Sequence, residues 1–147
     1  MVTKDEMHEI FNPPKGNLTL EEFKEDICLY VKLYDWVSIA ELKRRYGSQA
    51  QGDCALTLPR SPNILLFAGI SELFCKALTD ILAEKKIHPH GSSVLVYCID
   101  GEMLRLPLAK RLPATGDYKT PRWLPVTFRS GGDCSLKNCP GRKRSKQ

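Results

Sequence analysis

The sequence predicts a single α+β domain in which three helices come first and strands follow. Its 147 residues fit one compact domain. With 42% hydrophobic residues, 10 Gly and 10 Pro, it is not a collagen-like, coiled-coil or fully disordered chain. Apolar residues recur at helical spacing in three stretches, 20–34, 39–46 and 73–82, and the hydrophobic period changes to two from Ile87 onward.

The first two helices are predicted from their caps and apolar stripes. A helix over 20–33 follows a capping box in which Thr19 and Glu22 satisfy each other's backbone N–H groups. After a short extended link, a second capping box begins at Ser38, and Gly47 ends the short helix that it opens. Both stretches carry apolar side chains on one face, which predicts two amphipathic helices that pack on a core.

A third helix is predicted after a long irregular region. Residues 47–61 lack periodicity and are expected to form a loop, and 62–68 are expected to form a buried turn or short strand. Ser71 is the predicted N-cap of the third helix, and Lys85 and Lys86 are placed in its last turn. Its core face consists of Leu73, Phe74, Ala77, Leu78, Ile81 and Leu82.

The region after the third helix is predicted to contain short strands. Residues 87–91 are interpreted as a strand and turn, and 94–99 as a strand rich in β-branched and aromatic residues. Asp100-Gly101 is a strong hairpin-turn signal, because both of its residues tolerate positive φ. Residues 102–106 are therefore the predicted return strand.

This order of elements resembles that of a winged helix-turn-helix domain over residues 19–106. The resemblance is carried by 37–42 as the start of the second helix, 71–87 as the third helix running into a wing strand, and 95–106 as the hairpin. It implies three helices with a small antiparallel β-hairpin wing, and a third helix that enters the DNA major groove.

The expected domain organisation has four parts. An N-terminal arm covers 1–18, and the winged-helix domain covers 19–112. A Pro-rich strap at 113–130 is expected to pack back on the domain, and 131–147 is expected to be a disordered basic tail.

The net charge of +5 belongs mostly to the C-terminal end. Residues 1–130 hold 17 Lys and Arg against 16 Asp and Glu, whereas 131–147 hold five basic residues against one acid. The exposed face of the third helix is mainly acidic, with Glu72, Asp80 and Glu84 against Lys76. Because phosphate attraction dominates DNA affinity, this helix opposes strong DNA reading.

Basic residues elsewhere are the candidate nucleic-acid contacts. If they lie on one face they would hold phosphates, and the alternative is scattered solvated charge that balances nearby acids. The candidates are Lys43, Arg44, Arg45, Lys76, Lys85, Lys86, His88, His90, Lys110 and Arg111.

The leading functional hypothesis is a noncatalytic winged-helix protein that binds double-stranded DNA with weak sequence readout. The alternative is a protein–protein interaction or dimerisation module on the same scaffold. In that alternative, a protein partner or a homodimer would use the mixed-charge third helix and Trp123. A domain accessory to an enzyme is a third possibility.

Catalysis, cofactors and metals find little support in the sequence. The sequence places no cysteine beside a histidine base, and it has no Gly-rich phosphate loop. We therefore predict that the chain is not an enzyme and binds no cofactor. His88 and His90 would face one side of a strand, but further ligands at zinc-like spacing are missing, which favours surface histidines over a metal pair. The spacing of Cys134 and Cys139 likewise favours a free tail over a metal clamp.

Two further expectations concern the tryptophans and the compartment. Trp36 and Trp123 are interpreted as core or strap anchors rather than base-stacking platforms. The chain has no apolar segment of membrane-spanning length, and its N-terminus lacks a signal-peptide core. With cysteine usage typical of reduced thiols, the expected location is cytoplasmic, without membrane association.

Overall fold

The structure is a computed structural model that describes residues 16–109 and 117–132. Helix α1 (Leu20–Tyr34) begins at Thr19, whose hydroxyl accepts from the Glu22 N–H at 3.2 Å while the Glu22 carboxylate accepts from the Thr19 N–H at 3.0 Å. Strand β1 (Val37–Ser38) leads into helix α2 (Ile39–Tyr46), with Ser38 as its cap. Both predicted helices are confirmed, and so is the capping box at Thr19. At Ser38 the structure has only one half of the predicted box: the Ser38 hydroxyl accepts from the Glu41 N–H, whereas the Glu41 carboxylate accepts from the Tyr30 hydroxyl.

The predicted loop at 47–61 is wrong. A 3-10 helix (Gly47–Ala50) leads into strand β2 (Gln51–Leu58), which pairs antiparallel with strand β3 (Ser61–Ile70). Much of β2 is exposed and its register with β3 is interrupted by bulges, so it carries no alternating apolar pattern. The strand exists because β3 supplies its backbone partners.

Helix α3 (Glu72–Ala83) starts at the predicted cap, since the Ser71 hydroxyl accepts from the Phe74 N–H at 3.1 Å. The helix ends before Lys85 and Lys86, which follow it rather than occupy its last turn. Lys85 has a φ of 59°, a left-handed conformation that helps to turn the chain into strand β4 (Ile87–Gly91). Strand β4 confirms the strand predicted at 87–91.

The predicted hairpin at 94–106 is wrong. Residues Val94–Asp100 form helix α4, which is capped by Ser93 at its start and by Gly101 at its end. The Asp100-Gly101 pair supplies the positive φ of a helix C-terminus (90° at Gly101) instead of that of a hairpin turn. The return strand expected at 102–106 is absent, and this stretch has no regular secondary structure.

Two strands come from the region predicted as a strap. Strand β5 (Arg122–Trp123) pairs parallel with β3, and strand β6 (Val126–Ser130) pairs antiparallel with both β1 and β4. The partner of β4 is therefore β6, far along the chain. The two sheets have the strand orders β1-β6-β4 and β2-β3-β5.

The core lies between α1, α3 and the β1-β6-β4 sheet, with the second sheet completing it. Trp123 is 1% exposed and its indole N–H donates to the Leu66 carbonyl at 3.1 Å. The prediction that Trp123 anchors the strap fits this position, whereas its role in a partner surface does not. Other fully buried members are Phe23, Ile27, Val31, Val37, Phe67, Phe74, Leu78, Ile81 and Phe128.

The described residues thus form a mixed α+β fold with four α-helices and two small sheets, where three helices were expected. Nearly all of the predicted arm and tail, with Cys134 and Cys139, lies outside the described residues. Lys110 and Arg111 lie outside them as well. Within the described ranges, no helix has the length and apolar character that crossing a bilayer requires.

Candidate interaction surface

Helix α4 exposes two large aliphatic side chains, Leu95 and Ile99. Of its seven residues only Tyr97 is buried, while Leu95 is 68% and Ile99 is 80% exposed. Met103 and Leu108, in the segment that follows, are 48% and 37% exposed. Exposed apolar side chains that lie this close together along the chain make the segment a candidate binding surface.

Tyr97 anchors α4 to the rest of the molecule. Its hydroxyl donates to the Val126 carbonyl at 2.7 Å and accepts from the Ile39 N–H at 3.2 Å. Its ring packs against Phe67 and meets Trp123 edge-on, with centroids 5.0 Å apart. Burial raises the pKa of Tyr97 far above its ordinary value, so its hydroxyl keeps the proton that it donates.

The C-terminal end of α4 is tied to α2 by polar contacts. The Ser38 hydroxyl donates to the Asp100 carboxylate, and the Arg44 guanidinium donates to the Asp100 carbonyl at 3.2 Å. The Lys43 ammonium lies 2.8 Å from the Glu102 carboxylate. These contacts hold the helix in place without covering its outer face.

A groove runs beside the N-terminal end of α4. It has a volume of about 470 Å³ and is open to solvent. Most of its lining is apolar, and Leu95 and Leu108 belong both to the groove wall and to the exposed set. The other apolar lining residues are Val94, Ala109, Leu124 and Pro125. We call Leu95, Ile99, Met103, Leu108 and this groove the α4 surface.

The predicted basic cluster on α2 is divided between interior and surface. The Arg45 side chain is 5% exposed, and its guanidinium donates to both carboxylate oxygens of Asp26, at 2.9 and 3.2 Å. The Lys43 side chain is 12% exposed and lies over the Phe67 ring. Only Arg44 of the three projects into solvent, so the structure does not bring them together on one exposed face.

The remaining candidate cations are spread over α3 and the turn after it. Lys76 lies 3.8 Å from Asp80, and Lys86 lies 3.5 Å from Glu84. The described residues hold 13 Lys and Arg and 13 Asp and Glu, so their formal net charge is zero. The described part of the molecule therefore lacks the excess positive charge of a typical duplex-binding surface.

His88 and His90 lie in the interior, so the prediction of surface histidines is wrong. Each is 5% exposed, and their Nε2 atoms are 3.0 Å apart on one side of β4, as the strand spacing predicted. His88 Nδ1 lies 2.7 Å from the Gly131 carbonyl oxygen and therefore carries the proton that it donates. Among the described residues, no group of three or more metal-binding side chains is found.

Trp36 is 47% exposed, which makes its prediction as a core or strap anchor wrong. Its ring lies under the Arg129 guanidinium at 4.6 Å and meets the His90 ring at 4.8 Å. Asp35 and Trp36 have φ angles of 53° and 50°, a strained conformation for residues with side chains. Arg129 donates to both Asp35 carboxylate oxygens at 2.9–3.1 Å, which helps to hold this strained turn.

The α4 surface escaped the sequence reasoning because Val94–Ile99 has the composition of a strand. Ser93 before this stretch and Gly101 after it were the available helix signals. Comparisons with protein-family models, with curated proteins and with solved structures find no match to this chain.

Proposed function

We propose that this chain is a noncatalytic protein-interaction module that binds its partner through the α4 surface. The observation that carries this proposal is the helix with a single buried side chain and with Leu95 and Ile99 in solvent. Burying one aliphatic side chain of this size stabilises a complex by about 1.5–3 kcal/mol. A partner that covers Leu95, Ile99 and Met103 would therefore gain substantial free energy.

We also propose that the scaffold is a modified winged helix. The order α1, β1, α2, α3, then antiparallel β4 and β6 supports this relation. The β2–β3 hairpin stands as an insertion between α2 and α3, and α4 and β5 stand between the two strands of the wing. In this view the interaction surface belongs to an insertion, and the scaffold positions it.

Charge favours a protein partner over duplex DNA at this surface. Arg45 and Lys43 are occupied by Asp26 and Glu102, and the described residues are neutral in sum. Affinity for duplex DNA comes mainly from contacts of cationic and polar groups with phosphates, and the apolar side chains of the α4 surface cannot make such contacts. DNA binding by the basic residues remains a separate prediction.

Photo-crosslinking tests the proposed function. We would place p-benzoylphenylalanine at residue 99 of the full chain, and at exposed Tyr34 as the control, in cells that express the protein. Protein crosslinks are expected from residue 99 and should disappear when Leu95→Asp is added. If residue 99 yields no crosslinks to protein, or yields the same ones as residue 34, the proposal is wrong.

A further inference from the structure

We propose that the Cys98 thiolate and the Met103 thioether together bind one Cu(I) ion at the C-terminal end of α4. In the structure the Cys98 thiol donates to Met103 Sδ, and the two sulfur atoms are 3.4 Å apart. Metal–sulfur bonds are about 2.3 Å long, so two sulfur ligands of one ion can be at most about 4.6 Å apart, and this pair lies within that span. A metal ion here requires no protein partner, so the proposal stands apart from the proposed function.

The end of α4 brings the two sulfur atoms together. Gly101 closes the helix with a φ of 90°, and its N–H donates to the Tyr97 carbonyl at 3.0 Å. The Glu102 N–H donates to the same carbonyl at 3.2 Å, so the chain folds back over the last turn of the helix. Met103 follows directly and meets Cys98. Because backbone contacts hold the two ligands close before an ion binds, little conformational entropy is lost on binding.

Both sulfur ligands are accessible to a metal ion from solvent. Met103 is 48% exposed, and Cys98 is the exposed member of the four free cysteines in the described residues. Burial raises the pKa of the Cys28 and Cys75 thiols, so these two lose their protons less readily. The thiolate is the form of cysteine that binds metals, so Cys98 releases its proton to solvent as the copper–sulfur bond forms.

The ligand set selects the metal. Thiolate and thioether sulfur are soft ligands, which favour Cu(I). A structural Zn²⁺ site instead takes a full tetrahedral set of Cys, His or carboxylate ligands. In the part of the chain that the structure describes, no group of three or more His, Cys, Asp and Glu side chains could hold a metal ion. The Cys98–Met103 pair therefore suits Cu(I) better than zinc.

The charges around the site favour a monovalent ion over a divalent one. The Asp100 carboxylate lies 3.9 Å from the Arg44 guanidinium. The Glu102 carboxylate lies 2.8 Å from the Lys43 ammonium. Both carboxylates are thus already balanced by cations, and the exposed Arg105 adds a further positive charge to the same segment. Coulomb repulsion rises with the charge of the ion, so the segment repels divalent ions more strongly than Cu(I).

Competition with the chelator bicinchoninate under anaerobic conditions tests the proposal with Cu(I) itself. The measurements use the full chain carrying Cys134→Ser and Cys139→Ser, because these two thiols are further candidate ligands. This protein is expected to bind one Cu(I) per chain, and Cys98→Ser should abolish the binding. Met103→Leu keeps an apolar side chain of similar size. It should weaken binding by at least about tenfold, the loss typical when even an outer-shell partner of a metal site is removed.

Two matched controls separate this site from general sulfur chemistry. Met7→Leu removes another thioether and Cys75→Ser removes another thiol, and both should leave the affinity unchanged. In NMR spectra of methyl-labelled methionine, the Met103 signal should shift as Cu(I) is added, whereas the Met7 signal should not.

Three results overturn the proposal. The first is full affinity in the Met103→Leu variant, which would show an adventitious ion only. The second is an equal loss of affinity in either control. The third is a protein that retains no Cu(I) against bicinchoninate, or one whose Met103 signal does not move.

Discussion

The Nε2 atoms of His88 and His90 lie 3.0 Å apart, so one ring must donate a hydrogen bond to the other. His88 donates through Nδ1 to the Gly131 carbonyl, so in its neutral form its Nε2 accepts. His90 then donates across the 3.0 Å gap to His88. Burial lowers the pKa of His90 below its ordinary 6.5, and the Arg129 charge lowers it further, against the opposing effect of the Asp35 carboxylate.

This predicts a dependence of stability on pH. The unfolded chain takes up a proton at residue 90 near pH 6.5, while the folded chain resists it. The free energy of unfolding therefore falls as the pH drops through 6.5, by at most about 1.4 kcal/mol per pH unit for one group. His90→Gln should flatten this slope in urea unfolding measured between pH 7.5 and 5.5.

The control for this experiment is Ser48→Ala, an exposed position with no titratable group. Its slope should equal that of the wild type. If His90→Gln keeps the wild-type slope as well, the titration in this range belongs to other groups and the interpretation of the pair is wrong.

Helix α4 shows how an element can be misassigned from composition. Val94, Val96 and Ile99 favour strands, and Asp100-Gly101 favours a hairpin. In the structure the Ser93 hydroxyl accepts from the Leu95 N–H at 3.1 Å, and Gly101 closes the helix in the left-handed conformation. A side-chain cap of this kind satisfies a helix N-terminus and has no use in a strand.

Replacing the Ser93 cap distinguishes a helix from a strand at residues 94–100. Ser93→Ala should cost about 1 kcal/mol of stability and speed hydrogen exchange at the α4 amides. Ser92→Ala is the matched control, because the Ser92 hydroxyl bonds only to the Ser93 carbonyl, at 3.2 Å, among its described contacts. Equal effects of the two substitutions would argue against a capped helix.

Most of the net positive charge of the chain lies outside the described residues. The described residues are neutral in sum, and most of the +5 comes from the sequence after residue 132. Any attraction to duplex DNA should therefore depend on those C-terminal residues rather than on α2 or α3. Such attraction would be nonspecific and sensitive to salt.

Ending the chain at Gly132 tests this assignment. The truncated protein should lose at least about tenfold in duplex affinity at 50 mM salt, and most of its salt dependence, by fluorescence anisotropy. Arg44→Ala in the full chain, which removes one exposed cation from α2, should change the affinity by less than about twofold. Full affinity in the truncated chain would show that the described residues bind DNA themselves.

Local patterns predicted a good part of this fold. The caps at Thr19, Ser38 and Ser71 and the apolar stripes that follow them place three helices correctly, because these signals act within a few residues. The strand at 87–91 was predicted from its period of two. The candidate site was predicted much less well, since burial and pairing decide whether Arg45 or His90 reaches solvent.

The sequence by itself determined the α+β class, the three capped helices and the uneven distribution of charge. Only the tertiary structure decided that β2, β5 and β6 are strands, because each depends on backbone partners supplied by another part of the chain. It also decided that α4 is a helix anchored by Tyr97, with Leu95 and Ile99 in solvent. Exposure is a property of the packed molecule, since it depends on which distant residues cover a side chain.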